Sequence, residues 1–241
     1  MRDLGKVITH IPARAGSKRV PSKNLRYLGG QPLLAYTVKA ALACNTFNSV
    51  YVNTDSLKIA ALAEQLGAKV YHRRKELASD TTTSDQFNID IIESLNPDTL
   101  IMINPVCPLI EASDIENAIE IYQRNNIDTL ISSDAIQMQC FYLGQPVNID
   151  LDMQLAPSQD NEPVHVCNWA VTVWDAHKFK YHYYRDGYAV FGENRILLPI
   201  DPSKSYKIST EEDFKLIELM INSVQSKNEK EYQKKYWSTD E

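Results

Sequence analysis

The 241-residue chain has no apolar run approaching the ~20 residues that a bilayer span requires. Its opening, MRDLGKVITH, also lacks the long apolar centre of a secretory signal. A cytoplasmic protein with no membrane partner is therefore expected. Cysteine is scarce and never paired as CxxC: Cys44, Cys107, Cys140 and Cys167 stand far apart, which suggests buried reduced thiols and neither a zinc site nor a disulfide framework. Positive charge is not in excess, because 25 basic residues face 31 acidic ones for a net charge of -6. General nucleic-acid binding, which draws on a broad basic face, is thus not expected. Internal repeats and low-complexity stretches are missing as well, and so are the GxxxxGK[ST] and GxGxxG phosphate motifs.

What is present is the composition of an ordinary globular protein, 44% hydrophobic and 23% charged. Short apolar runs alternate with segments of helical period, the pattern of βα units around a mostly parallel sheet. Strands are expected at 6–12, 49–54, 68–72, 99–104, 129–133, 167–174 and 196–200, and helices at 33–43, 56–66, 84–95, 113–124 and 210–223. SDIE at 113–116 and TEED at 210–213 have capping-box spacing. Residues 140–166 break the rhythm around Gly144, Pro146, Pro157 and Pro163 and suggest an antiparallel excursion from the sheet. One domain over 1–225 and a polar tail over 226–241 complete the expected organisation. The Tyr-rich run at 179–188 has no accompanying basic face, so packing or a subunit contact fits it better than base stacking.

The segment IPARAGSKRVPSKN, residues 11–24, leaves the first strand and turns at once into Arg14, Lys18, Arg19 and Lys23. Parallel sheets bind ligands beyond the carboxyl ends of their strands, where this loop must lie. Gly16 and Ser17 permit close backbone approach, and the cations can neutralise a polyphosphate. The same features suit a solvated basic turn, and spacing alone leaves both readings open.

The longer stretch IPARAGSKRVPSKNLRYLGGQPLLAYTVKAA resembles the opening of the cytidylyltransferases that make CMP-activated acidic sugars, the CMP-N-acetylneuraminate synthetase family with its legionaminate and pseudaminate relatives. VYVNTDSLKIAALAEQLGAKV, RRKELASDTTTSD at 73–85 and INPVCPLIEASDI resemble further elements of that family. The resemblance is strong to about residue 125 and weaker beyond. It implies a three-layer α/β/α sandwich with a Rossmann-like sheet, of the nucleotide-diphospho-sugar transferase type. It also implies a homodimer that uses the 140–166 excursion.

By the same resemblance, Arg14 and Lys23 face the transition state as catalytic groups, and Ala13, Ser17, Lys18 and Asn24 hold the CTP triphosphate. Arg73 and Ser84 contact the cytosine, while Asn104, Gln159 and Asn168 serve the acidic sugar. Without the resemblance, Arg73 reads as a charged strand end and Ser84 as a helix cap. The implied reaction is cytidylyl transfer to an acidic α-keto sugar with release of pyrophosphate, which asks for positioning and charge neutralisation more than covalent chemistry.

Mg²⁺ is implied too, but the family's Ile-Asp-Ile-Asp-Thr stretch reads YKISTEEDF here, with Lys207 and Ser209 at the aspartate positions. The metal ligands therefore stay unassigned: Glu211, Glu212 and Asp213 are explained by helix capping and the helix dipole, and Asp201 is a weak candidate. Pro108, Leu109, Ile110 replace the family's PLR and remove an Arg, which leaves the acceptor open among sialic acid, a modified nonulosonate and another acidic group. A nucleotide-binding homologue weakened in catalysis is the competing reading. The five histidines lack metal-ligand spacing and suggest structural or surface roles, with His165 and Trp169 flanking the acceptor wall.

Overall fold

Strand β1 (Val7–Pro12) has buried side chains on both faces, as a parallel strand covered from two sides requires. The computed structural model describes residues 1–225, so the expected tail at 226–241 lies outside the described residues. After β1 the chain forms a short hairpin, β2 (Tyr27–Leu28) and β3 (Gln31–Pro32), then α1 (Leu33–Leu42), β4 (Ser49–Thr54), α2 (Leu57–Gln65) and β5 (Lys69–His72). It continues through α3 (Ser84–Leu95), β6 (Thr99–Ile103), α4 (Ala112–Arg124), β7 (Thr129–Ile136) and a second hairpin, β8 (Phe141–Tyr142) and β9 (Gln145–Pro146). The remaining elements are β10 (Val164–Asp175), α5 (Ala176–Asp186), β11 (Arg195–Pro199) and α6 (Glu211–Gln225).

The main sheet has seven strands in the order β11-β7-β10-β6-β1-β4-β5. Only β10 runs against its neighbours, pairing antiparallel with β6 and β7. On one face, Leu34 and Val38 of α1, Ile59 of α2, and Ile115, Ile119 and Tyr122 of α4 pack on Val7 and Ile11. On the other, Ile89 and Ile92 of α3 and Phe179 of α5 meet Ile8, Leu100, Met102 and Trp174. Each such fully buried side chain contributes about 1.5–3 kcal/mol. This is the expected three-layer α/β/α sandwich. Helix α6 forms a third cluster, in which Phe214, Ile217 and Ile221 cover Val20, Leu28 and Leu33. It thereby clamps the basic loop to the body of the fold.

The elements depart from the sequence reading in four places. Helix α5 falls on the Tyr-rich run; Asp175 starts it by accepting the Lys178 amide at 3.0 Å, and Gly187 ends it at φ 83°. Helix α4 begins at Ala112, because Asp114 accepts the Glu111 amide at 2.9 Å, two residues ahead of the SDIE box. Strands β7 and β10 run past the expected 129–133 and 167–174 because their ends pair, Ile136 opposite Val164. Within the excursion only β8 and β9 form a ladder before β10, and residues 147–163 contain no strand. Pro157 and Pro163 lack the amide donors a ladder needs. Asn148 closes the loop instead, accepting from the Cys140 amide at 2.8 Å and donating to the Met138 and Glu162 carbonyls at 3.0 and 2.9 Å.

All four cysteines are free, Cys44 and Cys107 buried and Cys140 and Cys167 partly exposed. Burial pushes the thiols of Cys44 and Cys107 up to about 12. No helix among the described residues is long and apolar enough to cross a membrane.

Candidate active site

From β1 the chain winds one way to β4 and β5, and then crosses to β6 on the opposite side of β1. That reversal leaves a crevice beyond the carboxyl ends of β1 and β6, the place where open α/β sheets bind ligands. A cavity of about 370 Å³ occupies it, lined by the loop after β1 (Arg14, Ser17, Lys18, Arg19, Lys23, Asn24) and the turn after β6 (Asn104, Pro105, Val106). Five of the residues assigned to the triphosphate and one assigned to the acceptor are thus brought together.

Each is held by tertiary contacts. Arg14 donates to the Ser79 carbonyl at 2.7 Å and pairs with the Asp80 carboxylate at 2.7 Å. Lys18 pairs with the other oxygen of Asp80. Lys18, then Arg14, holds the Asp80 carboxyl below the usual carboxylate range. Lys23 donates to the Ile208 carbonyl at 2.9 Å, across the gap to the segment before α6. Burial, with Arg19 and Lys207 nearby, pushes its pKa down to about 8. Asn24 is buried and donates to the Arg14 carbonyl at 3.4 Å, which fixes the loop's path. Asn104 is anchored through its backbone amide to the Ala170 carbonyl at 2.9 Å, so β10 fixes the turn after β6.

Five assigned residues do not line this cavity. Ala13 is buried and gives its amide to the Asn53 carbonyl at 2.9 Å. Arg73, directly after β5, is buried, donates to the Asn53 side chain at 2.8 Å and lies over the Phe87 ring at 4.8 Å. Desolvation lowers its pKa to about 10. Asn168 is consumed by the fold, accepting from Ser132 Oγ at 2.6 Å and the Ala170 amide at 3.1 Å, and donating to Asp134 at 3.0 Å. Gln159 sits on the exposed loop, where its carbonyl accepts from Gln137 at 2.9 Å. Ser84, outside the cavity as well, is the first residue of α3, and the cap is Thr83, paired reciprocally with Gln86.

Strand β10 carries a bulge between Cys167 and Thr172, with Trp169 at φ 61° and its ring edge-on to Phe191. A bulky residue in that backbone region is strained. His165 meets Ser133 Oγ at 3.0 Å beside it. The sequence reading missed Asp80 as the partner of the basic loop and the Ile208 carbonyl as the partner of Lys23. Asp80 lies inside the quoted segment 73–85, but nothing local points it at Arg14.

A family model described as cytidylyltransferase matches residues 8–237. The chain belongs to the cytidylyltransferase family. It is 38% identical to a CMP-N,N'-diacetyllegionaminic acid synthase of Legionella pneumophila over 124 residues, 49% of this chain and 53% of that one. It is 40% identical to an N-acylneuraminate cytidylyltransferase of Escherichia coli over 120 residues, 49% of this chain and 28% of the relative. The match thus spans about half of one relative and less of the other. A flagellin modification protein B of Campylobacter coli is 28% identical over 90% of this chain and 96% of its own. The fold is shared with a CMP-2-keto-3-deoxy-manno-octonic acid synthetase complexed with CTP, at a TM-score of 0.68 and 15% identity over 91% of this chain and 99% of that one.

Among the described residues of this chain Asp80 is the one carboxylate lining the cavity, and three acids considered as metal ligands are engaged elsewhere, a set that does not fit a protein-held divalent ion. Asp213 accepts from the Ser209 and Thr210 amides, both at 2.8 Å, completing the TEED capping box with Thr210. Glu211 chelates Arg26 at 2.6 and 2.7 Å, and Asp201 accepts from the amide and hydroxyl of Ser203 at 2.8 and 2.7 Å. Asp128, His182 and Glu193 bring ligand atoms within 4.8 Å of one another. That group lies at the amino ends of β7 and β11, away from the cavity, with its two acids paired to Lys178 and Arg185.

Proposed function

We propose that this chain transfers the cytidylyl group of CTP to an acidic α-keto sugar of the nonulosonate type, releasing pyrophosphate. The carrying observation is one cavity at the sheet's switch point lined by Arg14, Lys18, Arg19 and Lys23. The names of the family and of the relatives support the same reading. In the proposed reaction the anomeric hydroxyl oxygen of the sugar bonds to the α-phosphorus, the bond from that phosphorus to the pyrophosphate oxygen breaks, and the hydroxyl proton passes to solvent. Such a transfer needs in-line positioning and neutralised charge.

Arg14 and Lys23 take the charge developing at the α-phosphate and the leaving pyrophosphate, while Ser17, Lys18 and Asn24 shape and hold the triphosphate. Arg73 and Ser84 are proposed to face the cytosine, Arg73 from its buried seat on Phe87. Asn104 is proposed as the amide that meets the acceptor, with Asn168 supporting it through the β10 bulge and Gln159, on the exposed loop, as a further acceptor contact. Any Mg²⁺ arrives on the triphosphate. We further propose a cytoplasmic homodimer joined through the 140–166 segment, whose Phe141, Tyr142, Leu143, Leu151, Met153 and Leu155 are exposed apolar side chains.

Pyrophosphate release with CTP and a panel of nonulosonic and other acidic acceptors tests the activity. Lys23→Ala and Arg14→Ala are expected to lower kcat/KM by about 10²-fold, more than they weaken CTP binding. Near-normal turnover in both variants rejects these roles. The commitment of Asp201, Glu211 and Asp213 to other partners favours one competing reading, a nucleotide-binding subunit with weakened catalysis. CTP binding without turnover of any acceptor would decide for it.

A further inference from the structure

The charge balance of the cavity is lopsided. Four cationic side chains line it against one carboxylate, Asp80, and that carboxylate is already paired with Arg14 and Lys18. Four further acids are also engaged. Asp55 accepts the Ala15 amide at 2.9 Å, Asp213 caps α6, Glu211 holds Arg26, and Asp134 takes the Asn168 amide. Beside the cavity, the segment before α6 carries Lys207, which is exposed and directly precedes Ile208, whose carbonyl holds the Lys23 ammonium at 2.9 Å. A hard dication seeks carboxylate oxygens, and a field of ammonium and guanidinium groups repels it.

Resting on the reading of this cavity as a CTP site, we infer that the chain neutralises the triphosphate with its own cations, Lys207 standing in for a protein-held dication, so that metal-free CTP binds at least as tightly as its magnesium complex. The physical reason is complementarity. Metal-free CTP carries more negative charge than the magnesium complex, and a cationic cavity gains more from it. The Lys23 ammonium, held on the Ile208 carbonyl in the same gap, is the group that links the loop to Lys207.

Titration calorimetry of CTP into the 241-residue chain, once in EDTA and once in excess magnesium chloride, tests the inference. The Kd in EDTA is expected to lie within about threefold of that in magnesium, or to be lower. Weakening by more than about threefold in EDTA overturns the inference while leaving the CTP site intact. Absence of binding in both buffers overturns the CTP reading itself, and the inference with it. Lys207→Asp, at an exposed position, is expected to weaken binding in EDTA by about tenfold and to recover with magnesium. Lys207→Gln is expected to weaken binding without that recovery. A Lys207→Asp variant with equal affinity in both buffers removes Lys207 from the role.

Discussion

At the scale of single residues, the basic loop is partly neutralised by an internal anion. Asp80 occupies Arg14 and Lys18, so a triphosphate held by these cations, as proposed, has to displace it. Asp80→Asn is therefore expected to tighten CTP binding by about three- to tenfold, measured by calorimetry; weaker binding would show that Asp80 organises the loop and does not compete. Lys23 adds a pH dependence. With its pKa in the free protein pushed down to about 8 by burial first and neighbouring cations second, it is charged below pH 8 and neutral above. A bound phosphate raises that pKa, so CTP affinity is expected to fall as pH rises above about 8, by at most about tenfold per pH unit. The slope should disappear in Lys23→Ala. Lys23 and Arg14 were legible in the sequence because a basic run after a strand is a local pattern; Asp80 was not, because its partners lie 62 or more positions away in the chain and only the fold joins them.

At the scale of elements, helix starts decide where side chains are presented. The Thr210–Asp213 box holds the Ser209 and Thr210 amides and so fixes the segment that carries Lys207 and the Ile208 carbonyl. Asp213→Ala is expected to cost about 1–2 kcal/mol in urea unfolding and to weaken CTP binding through Lys23; unchanged stability would deny the cap its role. This box was readable because both partners lie within one turn. Helix α5 was also signalled locally, by Asp175 and Gly187, but its aromatic run lacks a strong apolar stripe, and its burial against Trp174 exists only in three dimensions. The excursion at 140–166 illustrates the opposite error. Alternating apolar residues suggest strands, yet prolines remove donors and side-chain amides of Asn148 and Asn161 hold the loop instead.

At the scale of the whole molecule, two outcomes follow. The exposed apolar residues on the excursion underlie the proposed dimer; Leu143→Asp combined with Leu155→Asp is expected to shift sedimentation from dimer to monomer, and an unchanged coefficient would place the interface elsewhere. The second concerns acid. His10, fully buried on β1, has its pKa lowered to about 3 by burial and then by Arg73. The unfolded chain binds that proton between about pH 3 and 6.5, so folding stability is expected to fall as pH drops through this window, with a slope approaching about 1.4 kcal/mol per unit from this residue. Chemical denaturation at several pH values, compared with His10→Phe, checks it: the variant should have the shallower slope.

The amino-acid sequence by itself determined most of the strands and helices, through apolar periodicity and capping residues that act within a few positions, and the cationic character of the loop at 11–24. Tertiary structure alone decided how that chemistry is deployed. The crossing from β5 to β6 places the Asn104 turn against the basic loop, α6 brings the Ile208 carbonyl to Lys23, and the β10 bulge draws Asn168 into the fold. The physical reason is the range of the forces: periodicity and capping are read within one turn or one strand, whereas hydrogen bonds and ion pairs across the cavity exist only after distant segments have packed.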